Sequence, residues 1–120
     1  VVMATYDNFG KGNIEGVLSM CDDKVMFDIQ DRVFDSKARM FNGKAEAGNF
    51  FKELGSKAKY TKFQPTRFVA DGEDVFALID AEYTHVPSGK NYATTYTHHF
   101  KVVNGKITFF RGLDDFQRVK

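Results

Sequence analysis

Apolar positions recur at helical spacing in the first half of the chain and at the alternate spacing of strands in the second. Val2, Met3, Tyr6 and Phe9 make a stripe over residues 2–9 that stops at Gly10-Lys11-Gly12. Asn13 has an N-cap side chain and Glu15 suits a positive helix end. Ile14, Val17, Leu18 and Cys21 share one face, so a second helix is expected over 13–21. Asp22-Asp23 breaks into Val25-Met26-Phe27-Asp28-Ile29, a short strand. Residues 30–42 read as polar and irregular. Ala47, Phe50, Phe51 and Leu54 then fall at i, i+3, i+4 and i+7, which predicts a third helix over 44–54, closed by Gly55.

The remainder predicts four long strands, at 61–70, 74–86, 92–103 and 106–116, separated by Asp71-Gly72, Pro87-Ser88-Gly89 and Asn104-Gly105. Consecutive hairpins make an antiparallel meander, and helices followed by strands indicate an α+β fold. A strongly twisted four-stranded sheet of this kind curls around the helices, with strand 25–29 on an edge and a pocket on the concave side.

Composition narrows the picture. A chain of 120 residues is the size of one domain, 1–120. Its 13 Phe and 5 Tyr are a surplus that asks for a large core, a lined pocket or a self-associating face. The net charge is +1 with both signs interspersed, so there is no concentrated basic field for nucleic acid or an anionic membrane. A single cysteine, Cys21, excludes an intrachain disulfide and a cysteine-rich zinc site, and three histidines without ligand spacing predict no metal and no cofactor. No apolar run approaches the roughly 20 residues of a membrane span, and no signal peptide precedes the first helix. A reducing, cytoplasmic setting is expected. The glycines at 10 and 12 join two helices rather than following a strand, so they are not a dinucleotide fingerprint.

The run from Tyr6 to Leu18, Asp22-Asp23-Lys24-Val25, Phe41-Asn42-Gly43-Lys44, Phe50-Phe51 and Arg67 to Gly72 resembles the nuclear-transport-factor-2-like superfamily. So do His98 to Val102, Asn104 to Ile107 and Arg111 to Asp115, and the likeness is to the SnoaL-like and ketosteroid-isomerase-like branch. The resemblance implies a cone of curved antiparallel sheet wrapped on three helices, usually a homodimer through the outer sheet face. Members isomerise steroids, cyclise polyketides, hydrate or dehydrate small molecules, or only bind and scaffold, so fold alone does not decide function.

The same resemblance places Asp28 where ketosteroid isomerases keep a general-base carboxylate, and partial burial would raise its basicity. Alternation pairs Asp28 with Met26 and leaves open which face of the strand is inward. His98 aligns with the isomerases' oxyanion-hole acid and a cyclase pocket histidine; His99 must point to the opposite face. The isomerases' tyrosine falls at Thr5, with Tyr6 about 100° away on the helix. The cyclases' late acid falls at Gly112, with Asp114 one pleat further as a substitute. A two-residue Asn104-Gly105 loop would put His98 opposite Arg111, and a three-residue loop at Val103-Asn104-Gly105 would put it opposite Phe110; the resemblance favours the second, with Phe110, Gly112 and Asp114 inward and Phe109, Arg111 and Leu113 outward. The catalytic candidates are therefore Asp28, His98 and Asp114, and the expected pocket wall is Tyr6, Phe41, Phe50, Tyr96 and Phe110. Three functions stay open: an isomerase, cyclase or dehydratase acting on a hydrophobic small molecule, a non-catalytic binder of such a molecule, and a dimeric interaction module.

Overall fold

A computed structural model describes residues 1–34 and 38–114. The chain runs α1 (Val2–Gly10), α2 (Ile14–Ser19), β1 (Cys21–Gln30), a 3₁₀ turn (Arg32–Phe34), β2 (Ala38–Asn42) and α3 (Gly43–Lys57). It continues through β3 (Ala58–Asp71), β4 (Asp74–His85), β5 (Lys90–Val103) and β6 (Lys106–Asp114). The six strands form one curved, unclosed sheet in the order β2-β1-β6-β5-β4-β3. All neighbours are antiparallel except β1 and β6, which run parallel. The described residues contain no helix long and apolar enough to cross a membrane.

Local chemistry explains the helices. Val2 and Thr5 are buried and Tyr6 and Phe9 are half-buried, so α1 turns these residues onto the concave sheet, while Met3 of the expected stripe is exposed. The Asn13 side chain accepts from the Gly16 amide at 3.1 Å, which is the expected cap of α2. The α1–α2 turn needs a left-handed residue, and Gly12 supplies it at φ 72°. In α3, Ala47, Phe50 and Leu54 are buried as the heptad pattern predicts.

Several expected boundaries move. Cys21 opens β1 instead of ending α2, and α3 continues past Gly55 to Lys57. The strand expected at 25–29 is longer and lies inside the sheet, paired on one side with β2 and on the other with β6. The edge belongs to β2, hidden in the polar stretch 30–42, so the sheet has six strands, one more than the four long strands and the strand at 25–29 that were expected. The last strand is described to Asp114; residues 115 and 116 of the expected span lie outside the described residues.

The β5–β6 hairpin also departs from expectation. Val103 pairs with Lys106 across a two-residue turn in which Asn104 (φ 51°) and Gly105 (φ 77°) are both left-handed, the signature of a type I′ turn. The register then shifts between Lys101 and Val102, and His98 faces Gly112 rather than Phe110. A slip of two residues preserves facing, so Gly112 and Asp114 still point inward and Arg111 and Leu113 outward.

Candidate functional site

Register across the sheet builds the site row by row. One inner row runs Phe41, Phe27, Phe110, Phe100, over which Phe50 and Phe51 of α3 pack. The next inner row runs Ile29, Gly112, His98, Ala77. His98 thus stands between two residues with little or no side chain, and its ring fills space that larger neighbours would take. The sheet and helices enclose a cavity of about 80 Å³, walled chiefly by aromatic rings with His98 among them. By volume this holds several waters or a small part of an apolar molecule.

His98 is the histidine of a wall whose other polar groups include the hydroxyls of Tyr6, Tyr60 and Tyr96. Its Nδ1 lies 2.7 Å from the Tyr6 hydroxyl, and the two rings are nearly parallel, at 8°. Burial pushes the imidazole down to about 3, so it is neutral at physiological pH. Burial also pushes the Tyr6 phenol up, so it keeps its proton. In the tautomer in which Tyr6 donates to Nδ1, the imidazole proton sits on Nε2 and His98 is a neutral hydrogen-bond donor. Tyr6 takes the place beside His98 that the resemblance assigned to Thr5, whose hydroxyl donates instead to the Val1 carbonyl at 2.8 Å.

Asp28 does not join this site. Val25, Phe27 and Ile29 are buried, so Met26 and Asp28 point to the outer face. There Asp28 Oδ2 accepts from Arg111 Nε at 3.1 Å. A carboxylate on the convex side cannot take a proton from a molecule in the cone, and the sheet itself separates Asp28 from His98. Phe41 is a second correction. It is buried but lies behind the wall, its ring 5.3 Å from Phe50 and 6.3 Å from Phe34. Tyr6, Phe50, Tyr96 and Phe110 do line the cavity. Cys21 also lines it, but burial pushes its thiol up to about 11, which makes it an unreactive neighbour.

Asp114 is buried on the inner face, directly across from Tyr96, and accepts from the Thr94 hydroxyl at 2.5 Å. Its neighbour is a residue the sequence reading passed over. Asp31 follows β1 with the parity of Phe27 and Ile29, and it is buried too. The Val33 amide donates to its Oδ1 at 3.0 Å. Burial raises this carboxyl to about 7, helped by the Asp114 carboxyl and opposed by hydrogen bonds from the Val33 amide and the Tyr96 hydroxyl. The Tyr96 hydroxyl in turn lies 2.9 Å from that of Tyr60, and both tyrosines line the cavity. The continued alternation Val25, Phe27, Ile29, Asp31 was the signal that could have found it. Among the described residues, no cluster of three histidine, cysteine or acidic side chains could hold a metal ion.

Known proteins place this geometry. No curated protein matches the sequence. Among solved structures, an NTF2-like protein of unknown function from Burkholderia pseudomallei is 20% identical, with 98% of this chain and 89% of that chain covered and a TM-score of 0.85. TerC, crystallised with polyporic acid, is 20% identical over 98% of this chain and 90% of its own, at a TM-score of 0.81. A protein from Mesorhizobium loti described as a SnoaL-like polyketide cyclase is 14% identical, with 90% and 91% covered, at 0.75. At these identities the likeness is one of fold. The SnoaL-like domain, however, matches residues 2–110, nearly the whole chain, and so the chain belongs to the SnoaL-like family of the NTF2-like superfamily.

Proposed function

We propose that the protein binds a hydrophobic small molecule in the cone and acts on it by proton transfer, as an isomerase, cyclase or dehydratase does. The observation that carries this reading is the neutral His98, hydrogen-bonded at Nδ1 with Tyr6 and set into a largely aromatic wall. A neutral donor in an apolar site stabilises an oxyanion or enolate as it forms, because there is little water to compete for the charge. The apolar wall supplies affinity and orientation, and His98 supplies the contact that distinguishes an oxygen-bearing ligand from a plain hydrocarbon. TerC, which has a fold of this kind, was co-crystallised with polyporic acid, and this supports an oxygenated aromatic as ligand class.

A second reading, a non-catalytic binder, is favoured by one observation: among the described residues, no carboxylate lines the cavity itself. Turnover separates the two. A panel of oxygenated aromatics and cyclic ketones, followed by proton–deuterium exchange at the carbon next to the carbonyl, should show exchange with the protein and loss of it in His98→Ala. Binding without exchange across the panel selects the binder, and no binding at all refutes both.

We also propose a homodimer through the outer sheet face. A row on that face crosses all six strands as Met40, Asp28, Arg111, His99, Phe76 and Val69. Met40, Phe76, Val69, Leu78 and Leu113 are exposed on this face, and apolar side chains gathered on one face suit a contact with a second copy.

A further inference from the structure

The Thr5 hydroxyl turns back to the Val1 carbonyl, and the other hydroxyl and imidazole groups of the cavity wall form two hydrogen-bonded pairs. Tyr6 meets His98 Nδ1 at 2.7 Å, and the Tyr60 and Tyr96 hydroxyls meet at 2.9 Å. One phenylalanine stands among all four rings. The ring centre of Phe63 lies 6.2 Å from those of Tyr6, Tyr96 and His98 and 5.3 Å from that of Tyr60. Given the cone as a small-molecule site, on which this rests, we propose that it takes a single flat neutral ring with an oxygen at each of two edges. Phe63 is the specificity-determining residue: its side chain leaves the wall as that ring enters, and its size sets the limit of one ring.

Space carries the first half of the proposal. The cavity measures about 80 Å³, well short of the roughly 150 Å³ of a cavity that holds benzene. A ring therefore enters when a wall side chain yields, and a phenyl group is itself one ring in size. Among the half-buried phenylalanines of the wall, Phe63 alone has described ring contacts with both hydrogen-bonded pairs. Its strand, β3, is the last of the sheet, so no further strand covers its outer side. The β3–β4 ladder is irregular on both sides of Phe63, between Tyr60 and Lys62 and between Pro65 and Arg67, and the residue opposite it is the small Ala81. Rotation of the ring towards solvent leaves the sheet intact.

Hydrogen-bonding capacity carries the second half. His98 Nε2 has no partner among the described residues, and in either tautomer it meets a ligand oxygen, as donor to it or as acceptor of its proton. A phenol oxygen accepts as well as donates, so the Tyr60–Tyr96 pair keeps room for a ligand hydroxyl. Tyr96 and His98 share the inner face of β5 with ring centres 5.8 Å apart, a spacing on the scale of one ring bearing two oxygens. Among the described residues no Lys, Arg, Asp or Glu lines the cavity, which suits an uncharged ligand.

The test titrates three probes into the parent, Phe63→Ala and Phe63→Leu: hydroquinone, phenol, and a naphthalene diol with its hydroxyls on opposite rings. In the parent, hydroquinone should bind about tenfold tighter than phenol, the ordinary worth of one added hydrogen bond, and tighter than the diol. Phe63→Ala should reverse the ring-size order, the diol gaining about tenfold or more as its second ring fills the vacated space. Phe63→Leu should show the same gain on a smaller scale, and it decides the matter where the alanine variant does not fold. NMR of the parent should show the ring-labelled Phe63 signal moving with hydroquinone saturation, together with His98 Nε2. A Phe63 signal that stays in place while His98 moves, a ring-size order unchanged in the variants, or hydroquinone no tighter than phenol would overturn the proposal and leave the cone as the ligand site. If no probe moves His98 in the parent or in either variant, the reading of the cone fails and the proposal falls with it.

Discussion

Tyr6 and His98, 92 positions apart in sequence, meet at 2.7 Å and tie the first helix to the centre of the sheet. The contact joins fold and site, because the same bond that docks α1 also fixes the imidazole. Tyr6→Phe removes the donor and leaves a buried Nδ1 without a partner. The expected cost is about 1–3 kcal/mol of stability. Denaturant unfolding at neutral pH measures it, and an unchanged midpoint would mean that the bond contributes nothing.

Asp28→Asn is expected to change little. The pair with Arg111 is on the outer face, with the arginine side chain 46% exposed, and such pairs contribute less than about 1 kcal/mol. Ligand affinity and turnover should match the parent. A hundredfold loss of turnover would return Asp28 to the site and contradict the placement of β1.

Asp28 became the candidate base through the family resemblance, and parity could not decide against it. Val25-Met26-Phe27-Asp28-Ile29 carries an apolar residue on each face, so alternation alone could not orient the strand. What orients it is the tertiary pairing of β1 on both sides, which buries Phe27 against α3 and Phe110. The hairpins at Asp71-Gly72 and Asn104-Gly105, the α3 stripe and the opposite facing of His98 and His99 were legible because each rests on local chemistry. β2 was not: Ala38-Arg39-Met40-Phe41-Asn42 is a short edge strand whose only deeply buried described side chain is Phe41. The bulge in β6 was equally invisible, since it answers the curvature of the sheet and not the turn sequence. Asp31 reads locally as part of a polar loop, and only continuation of the β1 alternation turns it inward.

Two buried groups make stability depend on pH in opposite directions. His98 is held down at about 3 against an ordinary 6.5, so between those values the unfolded chain binds the extra proton and stability falls as pH falls. Asp31 is raised from 3.8 to about 7, so over that window the folded protein holds the extra proton and stability falls as pH rises. The slopes oppose each other between pH 3.8 and 6.5. In Asp31→Asn only the His98 slope remains of these two, and stability should rise with pH across that range more steeply than in the parent. In His98→Gln the Asp31 slope remains and stability should fall. Urea midpoints at several pH values check both signs; curves parallel to the parent's would refute the assignments.

The outer row predicts self-association. Sedimentation at micromolar concentration should give a dimer, and Phe76→Glu with Leu113→Arg should give a folded monomer. A parent that sediments as a monomer would remove the dimer.

The most direct test of the cone as the ligand site uses the neighbouring histidines as each other's control. His98 faces the cavity, while His99 lies on the outer face, 2.7 Å from Asp74 and stacked on Phe76 at 4.4 Å. Nitrogen-detected NMR of the imidazoles during titration with oxygenated aromatic ligands reads both sites in one experiment. The account predicts that the His98 Nε2 signal moves with saturation while the His99 signals stay in place. Ligand binding that moves His99 and leaves His98 unchanged would contradict it.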